Sequence, residues 1–110
     1  MKKIFVNLPV DPAALARIEA HGDYAIEVVA EHEEKAGVVL PEDRIRDAEI
    51  LLCDFPPGNF DAMRSLEFVQ LASVGYTQLG GLGLGERGIR AANARGVFDV
   101  PIAEWNIAMM

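Results

Sequence analysis

Cysteine is almost absent from this chain of 110 residues, in which Cys53 stands alone. A single cysteine can form no disulfide within the chain, and it excludes a zinc site built from several cysteines. Because Cys53 lies in the apolar run of residues 50–53, we expect a small buried hydrophobic residue there and not a reactive thiol.

Basic residues are also few. Ten Lys and Arg stand against seventeen Asp and Glu, which gives a formal net charge of −7. Binding to nucleic acid phosphates or to an anionic membrane surface requires clustered positive charge. We therefore predict no nucleic acid partner and no membrane partner.

Long apolar runs are missing as well. The run that starts at Ile4 is interrupted by Asn7 and Pro9, which makes it too short for a signal peptide. No stretch approaches the length of about 18 apolar residues that a membrane span needs. The expected location is the cytoplasm. The two histidines, His21 and His32, lie among polar and charged residues, so we expect solvated loops and no metal site.

The residues that are present alternate between strand patterns and helix patterns. Strands are predicted at residues 2–8, 24–29, 49–54, 68–72 and 89–93. Steady alternation of this kind predicts an α/β domain with a mostly parallel, five-stranded sheet and helices on both faces. The charged residues 31–35 are expected to form a solvated turn.

Capping residues predict where the helices begin and end. Asp11 and Pro12 open a helix that Gly22 ends, and a short helix over residues 41–48 turns Ile45 inward. Asn59 is predicted to cap a helix over residues 60–66, with Phe60 and Met63 on one face. Asp99 is predicted to cap the last helix, which has Pro101 in its first turn.

The segment Gly83-Leu84-Gly85-Glu86-Arg87-Gly88 fits the G-x-G-x-x-G pattern of dinucleotide sites. That pattern is informative only where it follows a strand and opens a helix, because the pyrophosphate binds at the helix N-terminus. Here a strand pattern follows at residues 89–93, so we interpret the segment as a tight loop.

A second loop, Ser73-Val74-Gly75-Tyr76, follows the fourth predicted strand. Open α/β sheets bind ligands at the carboxyl ends of their strands. Gly75 is expected to let the chain turn sharply and to leave space for a ligand. Successive backbone N–H groups at such a turn suit an anion such as a carboxylate, although an ordinary glycine turn is the alternative.

The last predicted helix is apolar on nearly all sides, with Glu104 and Asn106 as its polar residues. Such a helix needs to be covered on most sides. We expect that further chain follows it or that a partner covers it, with a homodimer through this helix as the favoured assembly.

Several segments together resemble the D-isomer-specific 2-hydroxyacid dehydrogenases, at the end of their N-terminal, substrate-binding segment. They are residues 68–75, 88–89, 93–98 and 101–105. Residues 54–60 are similar to the family's third-strand loop, and residues 1–48 match only in the order of elements.

The resemblance implies a flavodoxin-like substrate-binding domain over residues 1–99. Residues 100–110 would begin the helix that leads to an NAD(P)-binding Rossmann domain, and they would make this chain a truncated part of the enzyme. The family transfers hydride between the nicotinamide and C2 of a 2-oxo or 2-hydroxy acid.

The resemblance also implies roles for individual residues. The loop of Ser73, Val74, Gly75 and Tyr76 would bind the substrate carboxylate through its backbone. Phe55 would line the acyl side of the pocket, with a plain core residue as the alternative. Asn93 matches the family's hinge segment, and Ile102 and Glu104 match the start of the helix that faces the cofactor domain.

The family's catalytic Arg, Glu and His have no counterpart among the matched residues, so the chain alone is predicted to be inactive and to bind neither NAD nor NADP tightly. Thr77 stands where many members have Asp, which leaves the identity of the acid open. The alternatives are a stand-alone flavodoxin-like binding module or a receiver domain with Asp54 as phosphoacceptor. A receiver domain needs acidic residues at the end of its first strand, and this chain has Leu8 and Pro9 there.

Overall fold

Five strands and three helices make up the part of the chain that the computed structural model describes, residues 1–29 and 37–110. In chain order they are β1 (Lys2–Asn7), α1 (Pro12–Glu19), β2 (Tyr24–Val28), α2 (Glu42–Ile45), β3 (Ile50–Cys53), β4 (Phe68–Leu71), β5 (Arg90–Ala92) and α3 (Asp99–Met109). Single 3₁₀ turns lie at Phe60–Ala62 and Thr77–Leu79. His32 and the predicted charged turn at residues 31–35 lie outside the described residues.

The strands form one parallel sheet in the order β2-β1-β3-β4-β5. This is the strand order of flavodoxin-like proteins, and it confirms the predicted α/β fold. The sheet was expected to be mostly parallel, and each of its four strand pairings is parallel.

The alternation of side chains along each strand divides the apolar residues between the two faces of the sheet. On one face, Phe5, Leu51 and Val69 pack with residues of α2 and of the loops around it. On the other face, Ile4 and Val6 pack against Leu15 and Ile18 of α1, among others. Both faces of the central strands are therefore covered, as their continuous apolar sequences predict.

Helix α1 begins as its capping residues predict. The side chain of Asp11 accepts a hydrogen bond from the backbone N–H of Ala13 at 3.0 Å, and Pro12 is the first helical residue. The predicted end is wrong by two residues, since Ala20 is the C-cap. Gly22 lies in the turn beyond the helix with a φ of 77°, so it reverses the chain toward β2.

Two other predicted caps are wrong. Asn59 stands at the N-cap position only of the single 3₁₀ turn Phe60–Ala62, and its side chain makes no cap bond. The side chain instead bonds the backbone N–H and carbonyl of Leu40 at 3.0 and 2.7 Å. The bonds to Leu40 join two distant loops, and the local sequence cannot reveal them. Asp99 is not a cap either, because Phe98 occupies the N-cap and makes no side-chain bond to the helix.

Helix α3 stands apart from the rest of the domain. Every residue from 95 to 110 is exposed, including Trp105 at 63%. The radius of gyration is 15.2 Å, against about 13 Å for a compact domain of 100 residues. Neither α3 nor any other helix of the described residues has the length and hydropathy needed to cross a bilayer.

Candidate functional site

The parallel sheet brings three chain segments together at one edge. Asp54 follows β3, Ala72 follows β4 and Asn93 follows β5. Because the strands run in the same direction, their carboxyl ends meet at this edge, where open α/β sheets bind ligands. The loop of residues 73–76 lies here, as predicted.

The opposite edge is occupied by ion pairs. The Nζ of Lys2 lies 2.6 Å from Oε2 of Glu67 and 3.2 Å from Oε2 of Glu49. The bond to Glu67 is the main reason that the pKa of Lys2 is raised, and the bond from Lys2 lowers the pKa of Glu49. Lys2 at this amino edge is thus paired with the carboxylates that precede β3 and β4.

The carboxyl edge differs because its loop keeps unused hydrogen-bond donors. Flanking backbone bonds fix the loop, from Ala72 N–H to the Cys53 carbonyl at 3.1 Å and from Ala94 N–H to the Ser73 carbonyl at 2.9 Å. Within the described residues, the backbone N–H groups of residues 73–76 donate to no protein acceptor. Ser73 is half-buried and residues 74–76 are exposed, so the loop lies at the surface of the domain.

Gly75 takes part in this loop without a left-handed backbone conformation. Its φ is not positive, so the turn does not use the left-handed conformation that favours glycine. A Cβ placed on Gly75 would meet no atom within 4 Å. The space beside Gly75 is therefore open.

Asn93 is joined directly to this loop. Its Nδ2 donates to the Val74 carbonyl at 2.9 Å, and its Oδ1 accepts from the Arg95 N–H at 3.3 Å. The Nε2 of Gln70 donates to the Asn93 carbonyl at 3.2 Å. Asn93 thus fixes the loop with respect to β5 and to the segment that leads into α3.

Gln78 is a residue of this site that sequence reasoning missed. Its Nε2 donates to the Asp54 carbonyl at 2.8 Å and to Oγ of Ser73 at 3.0 Å. The Ser73 Oγ in turn donates to the Gly75 carbonyl at 2.9 Å. Gln78 therefore ties the loop after β3 to the loop after β4, and no local sequence pattern signals such a contact.

Two cavities lie near the loop of residues 73–76. One, of ≈ 310 Å³, is lined by Leu71, Tyr76, Leu79, Ala91, Ala92 and Asn93. The other, of ≈ 270 Å³, is lined by Phe55, Gln78 and Leu82 together with the glycines and prolines of two loops. Tyr76 and Phe55, both expected near the substrate, thus line different cavities.

The structure does not bring all the predicted residues together. Ile102 and Glu104 lie on the exposed helix α3, and among the described residues no hydrogen bond or ion pair links the Glu104 side chain to the loop of residues 73–76. His21 is exposed after α1, as expected for a solvated residue.

The glycine-rich segment is a loop and not the start of a helix. Gly83 and Gly88 have φ values of 69°, and β5 follows directly. The Nη2 of Arg87 donates to the Met63 carbonyl at 2.6 Å, and its guanidinium lies 5.3 Å from the centre of the Phe60 ring. These contacts pin the loop to the core, and the residues do not fit a dinucleotide.

Cys53 is fully buried in β3, as predicted. Burial, reinforced by the nearby charge of Asp54, raises the pKa of its thiol to about 12. A thiol that stays protonated at neutral pH is a poor nucleophile. Cys53 therefore belongs to the core and takes no part in the chemistry of the adjacent site.

Acidic side chains do not form a metal centre within residues 1–29 and 37–110, since no three His, Cys, Asp or Glu side chains there are placed to hold an ion. At the end of β1 stand Leu8 and Pro9, beside the β3 end that leads to Asp54. The receiver alternative gains no support from this arrangement, because its Mg²⁺ needs carboxylates there.

No protein-family model matches this chain, and no curated protein is significantly similar to it.

Proposed function

We propose that the chain is the substrate-binding domain of an NAD(P)-dependent oxidoreductase that acts on D-2-hydroxy acids, with residues 73–76 as the carboxylate site. One observation carries the proposal: the surface loop at the carboxyl edge of a flavodoxin-like sheet has backbone N–H groups that donate to no described acceptor. The order of the sequence segments that resemble the D-2-hydroxyacid dehydrogenases supports the same assignment.

Backbone N–H groups suit a carboxylate for an electrostatic reason. A hydrogen bond to an ionised acceptor is roughly twice as strong as one between neutral groups. In a chain of net charge −7, neutral donors that are fixed in place bind an anion without a long basic side chain. Asn93 and Gln78 hold the loop, so little ordering is needed when the acid binds.

In this proposal a nicotinamide held by a separate domain would supply or accept the hydride. The chain's own residues bind and orient the acid, and the family's Arg, Glu and His are not among the matched residues. We therefore expect the purified 110-residue chain to show no NADH-dependent reduction of glyoxylate or hydroxypyruvate. Turnover of either acid above background would contradict this part of the proposal.

Carboxylate binding can be tested by titrating ¹⁵N-labelled chain with pyruvate and following the backbone amide resonances. We expect saturable shifts at residues 73–76, and none of that size with methyl pyruvate, which is uncharged. Val74→Pro removes one N–H group and should weaken binding, whereas Val74→Ala keeps the N–H group and should bind like the parent chain. Equal shifts with the ester and the acid would contradict a carboxylate site.

We also propose that α3 pairs with α3 of a second copy to form a homodimer. The helix is apolar on nearly all sides and exposed along its whole length, so burial of any of its faces removes apolar surface from water. Light scattering should show a mass that rises with concentration, and Ile107→Lys should abolish the rise. A constant monomer mass would contradict the dimer and indicate that α3 folds back onto its own sheet.

A further inference from the structure

The cavity of ≈ 310 Å³ lies immediately beside the proposed carboxylate loop. Two of its lining residues belong to the loop or touch it, because Tyr76 is the loop's last residue and the Asn93 side chain bonds the Val74 carbonyl. A molecule bound to the N–H groups of residues 73–76 would therefore be next to the mouth of this cavity.

The interior of the cavity is apolar. Leu71 and Val69 lie on the same face of β4, and Ala91 pairs with Val69 in register, so Ala91 shares that face with Leu71. Leu79 closes the cavity from the 3₁₀ turn that follows the loop. Tyr76 and Asn93 are the only lining residues with polar side-chain atoms, and both stand at the loop side.

We propose that this cavity receives the side chain of the bound acid, so that the site favours 2-oxo and 2-hydroxy acids with a branched aliphatic or aryl side chain over glyoxylate and pyruvate. The proposal rests on the function proposed for the loop. It assigns the substrate class by two adjacent features, N–H donors for the carboxylate and an apolar recess for the carbon chain. Such pairing of a few polar groups with an apolar pocket is usual for small-molecule sites.

The volume agrees with a side chain of this size. A closed apolar cavity of about 150 Å³ holds a benzene molecule. The cavity beside Tyr76 has ≈ 310 Å³ and is open at one side, so it has room for an isobutyl or benzyl group. Pyruvate would leave most of it filled with water in contact with Leu79.

The second cavity, which Phe55 lines, is the weaker candidate. It meets the loop only through Gln78, whose amide is already engaged by the Asp54 carbonyl and the Ser73 hydroxyl. No residue of the range 73–76 lines it. The cavity that shares Tyr76 with the loop is therefore the better place for the substituent on C2.

The test compares three ligands on the full 110-residue chain by NMR, with amide and methyl resonances followed together. The ligands are pyruvate, 4-methyl-2-oxopentanoate and the neutral ketone 4-methyl-2-pentanone. We expect 4-methyl-2-oxopentanoate to bind at least about tenfold tighter than pyruvate, since each methylene buried in an apolar pocket is worth about 10-fold or more. 4-Methyl-2-oxopentanoate should shift the methyl resonances of Leu79 and Ala91 and the amide resonances of residues 73–76. The ketone should shift the same methyl resonances but leave those amide resonances unchanged.

Variants that fill the cavity separate it from the loop. Ala91→Leu should remove the advantage of the larger acid over pyruvate, and the smaller change Ala91→Val provides a second variant should the first not fold. Ala16→Leu, on the exposed surface of α1, is the matched control and should keep the advantage.

Each outcome distinguishes the two proposals. If both acids shift the amides of residues 73–76 with equal affinity, the loop binds carboxylates and the cavity proposal is wrong. If the larger acid shifts the Phe55 ring and not Leu79 and Ala91, the side chain occupies the other cavity and the assignment made here is overturned. If neither acid shifts the loop amides, the proposed function of the loop fails, and the selectivity proposed for the cavity fails with it.

Discussion

The central strands of the sheet and helix α3 are both strongly apolar in sequence, yet they have opposite environments. Leu51 in β3 and Val69 in β4 have no exposed surface, whereas Ile102 and Trp105 in α3 are 57% and 63% exposed. The strands are enclosed because their side chains point alternately to two faces that are both covered. Helix α3 begins beyond the last strand, and no described element of this chain encloses it.

This difference shows that hydrophobicity alone does not decide burial. Apolar residues are buried where a second surface is available to meet them. For the strands, that surface is supplied by α1 on one face and by α2 and nearby loops on the other. For α3, the proposed surface is a second copy of the same helix.

The largest difference in stability is expected between two side-chain deletions, one in the core and one in α3. Leu51→Ala leaves a cavity in the core and should lower the free energy of unfolding by about 2–5 kcal/mol. Ile102→Ala removes a residue that is already largely in water, so its effect on the monomer should stay within about 0.5 kcal/mol. Urea denaturation of both variants at low protein concentration gives the comparison, and equal losses would show that α3 is part of the core.

A smaller effect is expected from the bridge between Asn59 and Leu40. Asn59→Ala leaves the backbone N–H and carbonyl of Leu40 without their partner, which should cost about 1–3 kcal/mol of unfolding free energy. Asn59→Asp keeps an acceptor for the Leu40 N–H but loses the donor to the Leu40 carbonyl. Its unfolding free energy should therefore lie between those of the parent chain and Asn59→Ala. Thermal denaturation can rank the three proteins, and an unchanged Asn59→Ala variant would contradict the role of the bridge.

The pH dependence of stability should reveal the burial of Cys53. The pKa of its thiol rises from 9.0 in the unfolded chain to about 12 in the fold, so between these values the unfolded state releases a proton that the folded state retains. Stability from this group is complete below pH 9 and falls as the pH rises, by up to about 1.4 kcal/mol per pH unit. Urea denaturation at several alkaline pH values measures the slope.

Cys53→Ala serves as the control for that experiment, because it removes the thiol and should remove this part of the alkaline slope while the other groups still titrate. If the parent chain and the variant lose stability in parallel, the thiol ionises equally in both states and is not enclosed by the sheet.

The smallest effect is expected at Trp105. Trp105→Ala should leave the free energy of unfolding of the monomer nearly unchanged, since the indole is exposed. In the proposed dimer the same change should weaken association, so its effect should appear only as the protein concentration rises. Sedimentation at several concentrations checks this, and a large loss of monomer stability would place Trp105 against the sheet.

Prediction from sequence succeeded where the pattern is local. The five strands were located within one or two residues because alternating or continuous apolar runs are strong signals. Asp11 was correctly identified as a cap because its bond partner lies two residues away. The loop of residues 73–76 was placed at the correct edge, since a parallel sheet brings the ends of its strands together.

Prediction failed where a side chain bonds a distant part of the chain. Asn59 was expected to cap a helix, but it bonds Leu40, which is 19 residues away. The bonds of Gln78 were not predicted, because its partners, Asp54 and Ser73, belong to two other loops. A polar side chain in a loop has many partners of similar energy, and only the assembled fold brings one of them within reach.

The sequence by itself determined the class of the domain, its parallel strands and the edge at which the loop of residues 73–76 lies, because the period of apolar residues and the order of elements restrict a chain to few arrangements. Only the tertiary structure decided that Tyr76 and Phe55 line separate cavities, that Gln78 joins the loops that follow β3 and β4, and that α3 is exposed. These facts depend on contacts between segments that are distant in sequence, and the energies of such contacts depend on geometry that no local pattern records.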